Sequence, residues 1–502
     1  MQYNMSWPAL VGVALAYYGT LALYRLFLHP LTRFPGPKLA ACSRWYEGYY
    51  DVILGGQYTK KIAELHKIYG PIIRISPHEL HVIDPAFFKN LYRTDGRWYK
   101  YSWSTSAFGA PTSTLFGSDH DAHKSRRRAI APYFSRPNII ARQDIIDKHI
   151  NKLCQRVNEH VGTTVNLGAA ISAFTRDTAN EFIIGKAYND LDLPDFNFAL
   201  SVQSQGMGSF WRITKHIRWF GPTIRAMPIP LVMKIADEGT VSFLGMLQSS
   251  ENDTRAALTT AKSASPNNTP STMVHAIVQS DLPPSEKALE RVFEEVATIT
   301  GAGFETTGSA LRLILFHIFS DADILRQIRD ELSLASTNSS EPLPLKTLEQ
   351  LPYLTAVITE GLRLSPAIAT RMARVSDRAL VYGNWHIPAG TPVGMTTLLM
   401  HTDENLYPEP MRFNPDRWLG EDANAASAST YAPFGRGTRI CLGMHLAWAE
   451  MYLLLAALVR KFDFDVEGAV AGDFELERDN FAIETKAGVN LKARVAVRGS
   501  ER

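Results

Sequence analysis

Apolar and polar positions divide the chain into two unequal parts. Trp7 to Leu28, WPALVGVALAYYGTLALYRLFL, is apolar apart from Arg25 and a few small polar groups, and no charged side chain precedes Arg25. As a helix this stretch would reach about 33 Å at ~1.5 Å per residue, enough to cross the hydrocarbon core of a bilayer. Arg25 lies near its end, where the stem can run up to the interface. The following HPLTRFPGPKLA is dense in proline and reads as a stiff, non-helical hinge over 29–44. Beyond it the helical period dominates. Gln57 to Tyr69 is amphipathic, and longer helical patterns occupy 120–134, 138–160, 168–184, 230–260, 285–319, 321–333, 351–363 and 442–461. PIIRIS and ELHVI, split by Pro77-His78, predict a hairpin, and RALVYG, NWHIP and LKARVAV are short strand-like pieces. The polar stretch Thr259 to Thr272 reads as a surface loop between helical patterns. There is no internal repeat. The pattern predicts an anchor over 1–28 and a mainly α body with small β-sheets over 45–502.

Composition changes little in that picture. Apolar residues make up 45% and charged ones 20%, as in ordinary globular proteins. A net charge of +2 gives no reason to expect a nucleic-acid partner. The three cysteines, Cys42, Cys154 and Cys441, are far apart and form no C-x-x-C, so a disulfide framework is not indicated and a reducing compartment fits. A cleaved signal peptide fits the N-terminus less well than an anchor, because no Lys or Arg precedes the apolar run and no small-residue cleavage site follows. Arg25, Arg33, Lys38 and Arg44 come before any acidic residue, which places the body on the cytosolic side. The sequons at Asn252, Asn267 and Asn338 would then stay unmodified.

Candidate chemistry centres on FGRGTRICLG, Phe434 to Gly443. A thiolate is a strong, soft ligand for iron and needs positive potential to stay deprotonated. Cys441 stands just before the helical pattern LGMHLAWAEMYLLLAALVRKF, near a positive helix end. Gly435, Gly437 and Gly443 let backbone approach a flat ring closely, Arg439 can reach a carboxylate on such a ring, and Phe434 can cover the sulfur side. A lone cysteine beside a turn is more often structural. The full pattern F-G-x-G-x-R-x-C-x-G, however, resembles the heme-binding signature of the cytochrome P-450 family. The resemblance implies the P-450 fold, heme b, and Cys441 as the axial ligand of its iron.

Three further motifs share the resemblance. In VATITGAGFETTGSALRLILFHIF the glycines Gly301, Gly303 and Gly308 cost about 3 kcal/mol of helix propensity relative to alanine. They can serve a small-residue packing face. Ala302 to Thr307 also resembles the family's distal helix, where Ala302 would leave a groove for oxygen and Glu305 and Thr306 would deliver protons to dioxygen. Glu360 and Arg363, at i and i+3, resemble the family's E-x-x-R, and Arg417 in FNPDRW matches its second half. The resemblance implies a buried charge cluster beneath the heme. His123-Lys124-Ser125-Arg126-Arg127 resembles the family's W-x-x-x-R helix, with His123 in place of Trp. His123 and Arg127 would donate to heme propionates, and Arg374 would be a third propionate partner. Lys124, Arg126 and Arg128 read as a solvated basic face, and with Arg436 they could dock an acidic electron donor.

No G-x-G-x-x-G follows a strand, and no room remains for a flavin domain. The resemblance therefore implies electrons from a separate NADPH-dependent reductase at the endoplasmic reticulum membrane, with O2 as co-substrate. Arg97 to His120 carries Trp98, Tyr99, Tyr101, Trp103 and Phe108, MGSFWRITKHIRWFGPTIRAMPIPLVM reads equally as a membrane-touching lid or a plain helix–loop–helix, and SPAIAT is small and apolar. Together these suggest an apolar substrate. YRLFLHPLTRFPGPKLA and YYDVILGGQY resemble P-450s of fungal secondary metabolism, trichodiene-oxygenase-like enzymes among them, which implies a terpenoid or similar natural product. The expectation is a heme-thiolate monooxygenase. Two alternatives stand beside it: a reductase-independent isomerase or dehydratase, against which the Glu305–Thr306 pair argues, and a heme-binding sensor.

Overall fold

A computed structural model describes residues 7–228, 232, 234, 238–263, 271–336, 342–420 and 430–499. Trp7–Leu23 is an α-helix that ends in one π turn, Tyr24–Leu28. None of it is buried in the body, as its uniformly apolar surface requires of a helix that crosses a bilayer. The proline-rich segment departs from the expected hinge. Lys38–Cys42 is a short helix started from Pro37. The segment is docked rather than free: Leu31 and Phe34 are buried, Phe34 stacks on Trp385 at 5.0 Å, and the Arg74 amide donates to Pro35 O at 2.7 Å. Fixed proline φ angles pre-form the path that this packing needs.

The core is built around the helix Leu289–Ser320, 32 residues long. It packs on Leu167–Ile184, Pro352–Leu364 and Met444–Lys461. Small residues set the approach: a Cβ on Gly361 would lie 2.1 Å from Ile314 Cγ1, and one on Gly303 would lie 3.0 Å from Ala179 Cβ. The expected helix over 138–160 is two, Arg136–Ala141 and Gln143–Asn158. That over 230–260 is seen as Glu238–Ser263, which carries helix into the polar stretch read as loop. Residues 264–270, with the sequon at Asn267, and the sequon at Asn338 lie outside the described residues. The segment read two ways is helix–loop–helix as far as it is described, Phe198–His216 then Phe220–Ala226.

The predicted hairpin forms, Ile72–Arg74 with Leu80–Val82, and grows into a five-stranded sheet with Pro392–Gly394, Arg374–Ser376 and Trp98–Lys100 in that order. In its last pair Lys100 lies opposite Arg374. RALVYG and NWHIP form a second hairpin, and LKARVAV becomes the centre of a three-stranded sheet. Another hairpin joins Arg478–Asn480 to Ala482–Glu484.

Candidate active site

The cysteine loop is closed by two backbone bonds, Gly435 N–H to Ala432 O and Cys441 N–H to Phe434 O, both 2.9 Å. Gly437 holds φ +77°, and a Cβ there would lie 2.4 Å from Arg93 O. Only glycine fits both demands. Phe434 packs against Trp448, with ring centroids 6.1 Å apart. The following helix starts at Met444, with Gly443 as its N-cap. Cys441 is the exposed cysteine, while Cys154 is buried. Its side chain stays open on one side yet lies deep in the chain. Burial pushes its thiol up, and the Gly443 amide and the Arg127 charge pull it down.

Around this loop stands a cluster of buried basic groups. His123, Arg374 and Arg439 come from three separate segments, Arg127 reaches the loop itself, donating to Ile440 O at 2.6 Å, and Lys100 joins them. Their mutual repulsion is evident in their protonation. His123 is pushed down to about 2, by burial first and then by Arg439, Lys100 and Arg127. Burial, then Arg374, Arg439 and Arg127, push Lys100 well down, and Arg439 falls to about 9 through burial and Arg374. The one carboxylate bearing on Arg439, Asp119, is exposed and caps the helix His120–Ile130. Like charges placed directly across a sheet, as Lys100 and Arg374 are, destabilise the free protein. Such a cluster fits a ligand bearing two carboxylates, as heme does. Arg439 differs from the expectation in one respect. Its terminal nitrogens are spent on Gly117 O, Ser118 O and Asp119 O at 2.9–3.1 Å, and Nε alone remains, buried and without a partner. Lys100 was not foreseen; the signal available was one lysine inside the aromatic run WYKYSW.

The glycine-rich helix is packed closely at some of its small residues and open at others. Gly303 and Gly308 face Ala179 and Arg312 closely, whereas a Cβ at Gly301 would meet nothing within 4 Å and Ala302 is exposed in mid-helix. The helix runs through without a break. Thr306 Oγ1 donates to Ala302 O at 2.7 Å. Glu305 is not free: Oε2 takes Arg312 at 2.8 Å, Arg312 also donates to Ser172 Oγ at 2.8 Å, and Oε1 is buried without a partner.

Glu360 and Arg363 are both fully buried and joined by two bonds of 2.8 Å. Arg417 Nε, Trp418 Nε1 and the Asn414 amide complete the donors to Glu360, each at 2.9 Å. Arg363 also donates to His401 O and Pro410 O. His401, missed in the sequence, links this cluster to the cysteine loop. Its Nδ1 lies 3.1 Å from Arg363 O, and its Nε2 accepts from the Ala432 amide at 3.0 Å. With Nε2 accepting, the ring proton sits on Nδ1. Burial holds this imidazole neutral, at about 3.

Of the basic face, Lys124 and Arg128 are exposed, but Arg126 is not solvated alone; it holds Glu286 through two bonds of 2.7 and 2.8 Å. Arg436 is half-buried. Phe108 joins rings from three other segments. It stacks on Phe116 at 4.0 Å and on Trp211 at 5.7 Å, and meets Phe481 edge-on at 4.8 Å. Phe481 holds φ +70° and is pinned by the Ala369 amide to its carbonyl at 2.9 Å. A non-glycine residue in that region is strained and needs such support. SPAIAT therefore meets the aromatic wall through its backbone.

Comparison with known proteins identifies the family to which this fold belongs. Residues 45–488 match the family described as Cytochrome P450. The chain belongs to the cytochrome P450 family and is a monooxygenase of the kind found in fungal secondary metabolism. It is 38% identical to cytochrome P450 monooxygenase tpcC of Cochliobolus heterostrophus over 90% of this chain and 87% of that protein. It is 35% identical to tryptophan 6-hydroxylase fscE of Fusarium equiseti, over 92% and 91%. To cytochrome P450 monooxygenase TRI4 of Fusarium sporotrichioides it is 34% identical, over 95% and 93%. The solved structure of retinoic-acid-bound cyanobacterial CYP120A1 shares the fold, with TM-score 0.70, 21% identity, and coverage of 90% of this chain and 96% of that one. The family binds heme b.

Proposed function

We propose that the chain inserts one oxygen atom from O2 into an apolar small molecule, a terpenoid or similar secondary metabolite, with electrons from a separate NADPH-dependent reductase. Heme supplies the oxygen activation. The chain's residues do the rest. Cys441 binds the iron, with Phe434 and Gly435 shaping its loop. Arg127, His123, Arg374, Lys100 and the Nε of Arg439 would meet the propionates. The single observation that carries this reading is the gathering of five basic side chains around the cysteine loop, with the Nε of Arg439 buried and unpartnered, which an anionic ligand at that place would satisfy.

On the distal helix, Gly301 and Ala302 keep a groove open for the substrates. Thr306 holds its proton on the Ala302 carbonyl and releases it by rotating its hydroxyl. Glu305 keeps one oxygen for Arg312 and the other buried without a partner, and with Thr306 it would move protons inward. Glu360, Arg363 and Arg417 hold the fold beneath. Phe108, Phe116, Trp211 and Phe481 give the substrate an apolar wall. The apolar N-terminal helix anchors the chain once across the endoplasmic reticulum membrane, with the body cytosolic. Exposed Leu39, Trp45, Ile53 and Trp219 let the body lean on the same surface. Purified protein with reductase, NADPH and O2 tests the reading: it should oxygenate a ligand that saturably changes the heme spin state. Turnover of a peroxidised substrate without NADPH, or saturable binding with no turnover at all, would replace it with one of the alternatives.

A further inference from the structure

At the foot of the membrane helix three arginines and two histidines converge, with no acid among the described residues between them. Arg25 leaves the last turn of the helix and donates to Cys42 O at 2.6 Å. Its own carbonyl takes Arg74 Nη1 at 2.8 Å, and Arg74 Nη2 takes Pro77 O at 2.8 Å. Arg44 lies over Trp103 at 4.1 Å and holds the Tyr101 hydroxyl. Each of these guanidinium groups keeps one buried N–H without a protein partner: Nε of Arg25, Nη1 of Arg44 and Nε of Arg74. Arg74 itself is only 3% exposed.

Two histidines complete the group. His29 Nδ1 accepts from the Leu31 amide at 3.1 Å, so its proton sits on Nε2, 3.3 Å from His78 Nδ1. The proton of His78 is then on Nε2, and His78 is exposed. His78 is pushed down to about 4, first by partial burial of its ring and then by Arg44, Arg25, His29 and Arg74. The nearest carboxylates in sequence are turned inward. Glu79 grips Arg371 at 2.8 Å, and Glu47 takes Lys215 at 2.8 Å and Arg371 at 2.9 Å. Nothing in this arrangement serves the oxygenation site. Holding the three guanidinium cations Arg25, Arg44 and Arg74 together costs stability that an anion would restore, and the neutral His78 adds an N–H donor.

We propose that Arg25, His29, Arg44, Arg74 and His78 form a binding site for the phosphate headgroup of an anionic phospholipid. The choice of a lipid rests on the membrane reading above: Arg25 ends the apolar span at the depth where headgroup phosphates lie. Guanidinium groups suit a phosphate because they offer several N–H donors in one plane.

The test uses full-length holoprotein in a neutral detergent, titrated by calorimetry with dioctanoyl phosphatidic acid. The variants Arg44→Gln and His78→Glu are titrated alongside, with the heme spectrum as the check on folding. The proposal expects saturable binding, weakened by about fivefold or more for each lost charge, and at least about tenfold weaker binding of dioctanoyl phosphatidylcholine. His78→Glu adds a charge at the exposed donor, so it keeps the test open if Arg44→Gln disturbs the stack on Trp103. Absence of saturation, or an affinity in both variants unchanged from the parent, overturns it. Inorganic phosphate binding as tightly as the lipid also overturns it, in favour of a free-anion site. Flotation with neutral phosphatidylcholine vesicles reports separately on the anchor, so failure of that reading is told apart from failure of this site.

Discussion

Replacing Glu360 with glutamine changes one atom type and removes one charge, yet the structure assigns it a large effect. Two carboxylate oxygens, fully buried, accept from five N–H groups on Arg363, Arg417, Trp418 and Asn414. An amide keeps one acceptor and turns an N–H2 toward donors, so some of them lose their partner, and the buried Arg363 and the partly buried Arg417 are left without a counter-charge. Breaking a buried ion pair from one side costs about 3–5 kcal/mol. At ~2.1 cal/mol/K per residue, a 502-residue chain has an unfolding entropy of about 1 kcal/mol/K, so the melting midpoint should fall by about 3–5 °C. The assay is thermal unfolding followed by circular dichroism at one scan rate, with heme content measured beforehand. Arg363→Lys should lose about as much, because a lysine cannot serve Glu360, His401 O and Pro410 O at once. A Glu360→Gln variant that melts within about 1 °C of the parent, fully loaded with heme, would refute this reasoning.

Three other outcomes follow from the same geometry. Thr306→Ala should retain heme but divert electrons to peroxide, read as NADPH consumed per product; unchanged coupling would remove Thr306 from proton delivery. Lys100→Met should speed heme loss to an acceptor protein through a deficit of about 1.5–3 kcal/mol, while the heme-free protein, relieved of the repulsion with Arg374, should be no less stable; slower apo unfolding with unchanged heme affinity would contradict the assigned role. His401 is neutral when folded, near 3, against an ordinary value of about 6.5 unfolded. Its folded value is depressed, so its contribution is intact above about pH 6.5 and is lost as pH falls, by about 2 kcal/mol between pH 6.5 and 4.5. His401→Gln should flatten that part of the stability–pH curve by one proton; an unchanged slope would show that His401 is already charged in the fold.

Long periodic segments were legible because their period repeats many times. Leu289–Ser320 and Met444–Lys461 fall within a few residues of the pattern. Three-residue strands such as Trp98–Lys100 and Arg374–Ser376 span barely more than one alternation, and only their pairing defines them. The docked segment Leu31–Cys42 was misread because its prolines forbid a long helix but say nothing of what Phe34 packs against. At the site, Cys441, Glu360, Arg363 and Arg417 were picked out by spacing and resemblance, and the structure joins the last three in one hydrogen-bonded cluster. Lys100 and His401 were not, because each acts through partners on other elements, Arg374 across the sheet for Lys100 and Arg363 O and the Ala432 amide for His401. Phe481 was hidden for a different reason: its strained backbone, not its residue type, places it in the aromatic wall.

The optical spectrum of the ferric protein loaded with heme, in the parent and in Cys441→Ala, tests the central claim most directly. A thiolate-ligated spectrum in the parent that disappears in Cys441→Ala, together with all turnover, is the result this account predicts. The same thiolate spectrum and activity in Cys441→Ala would contradict it and move the iron ligand elsewhere.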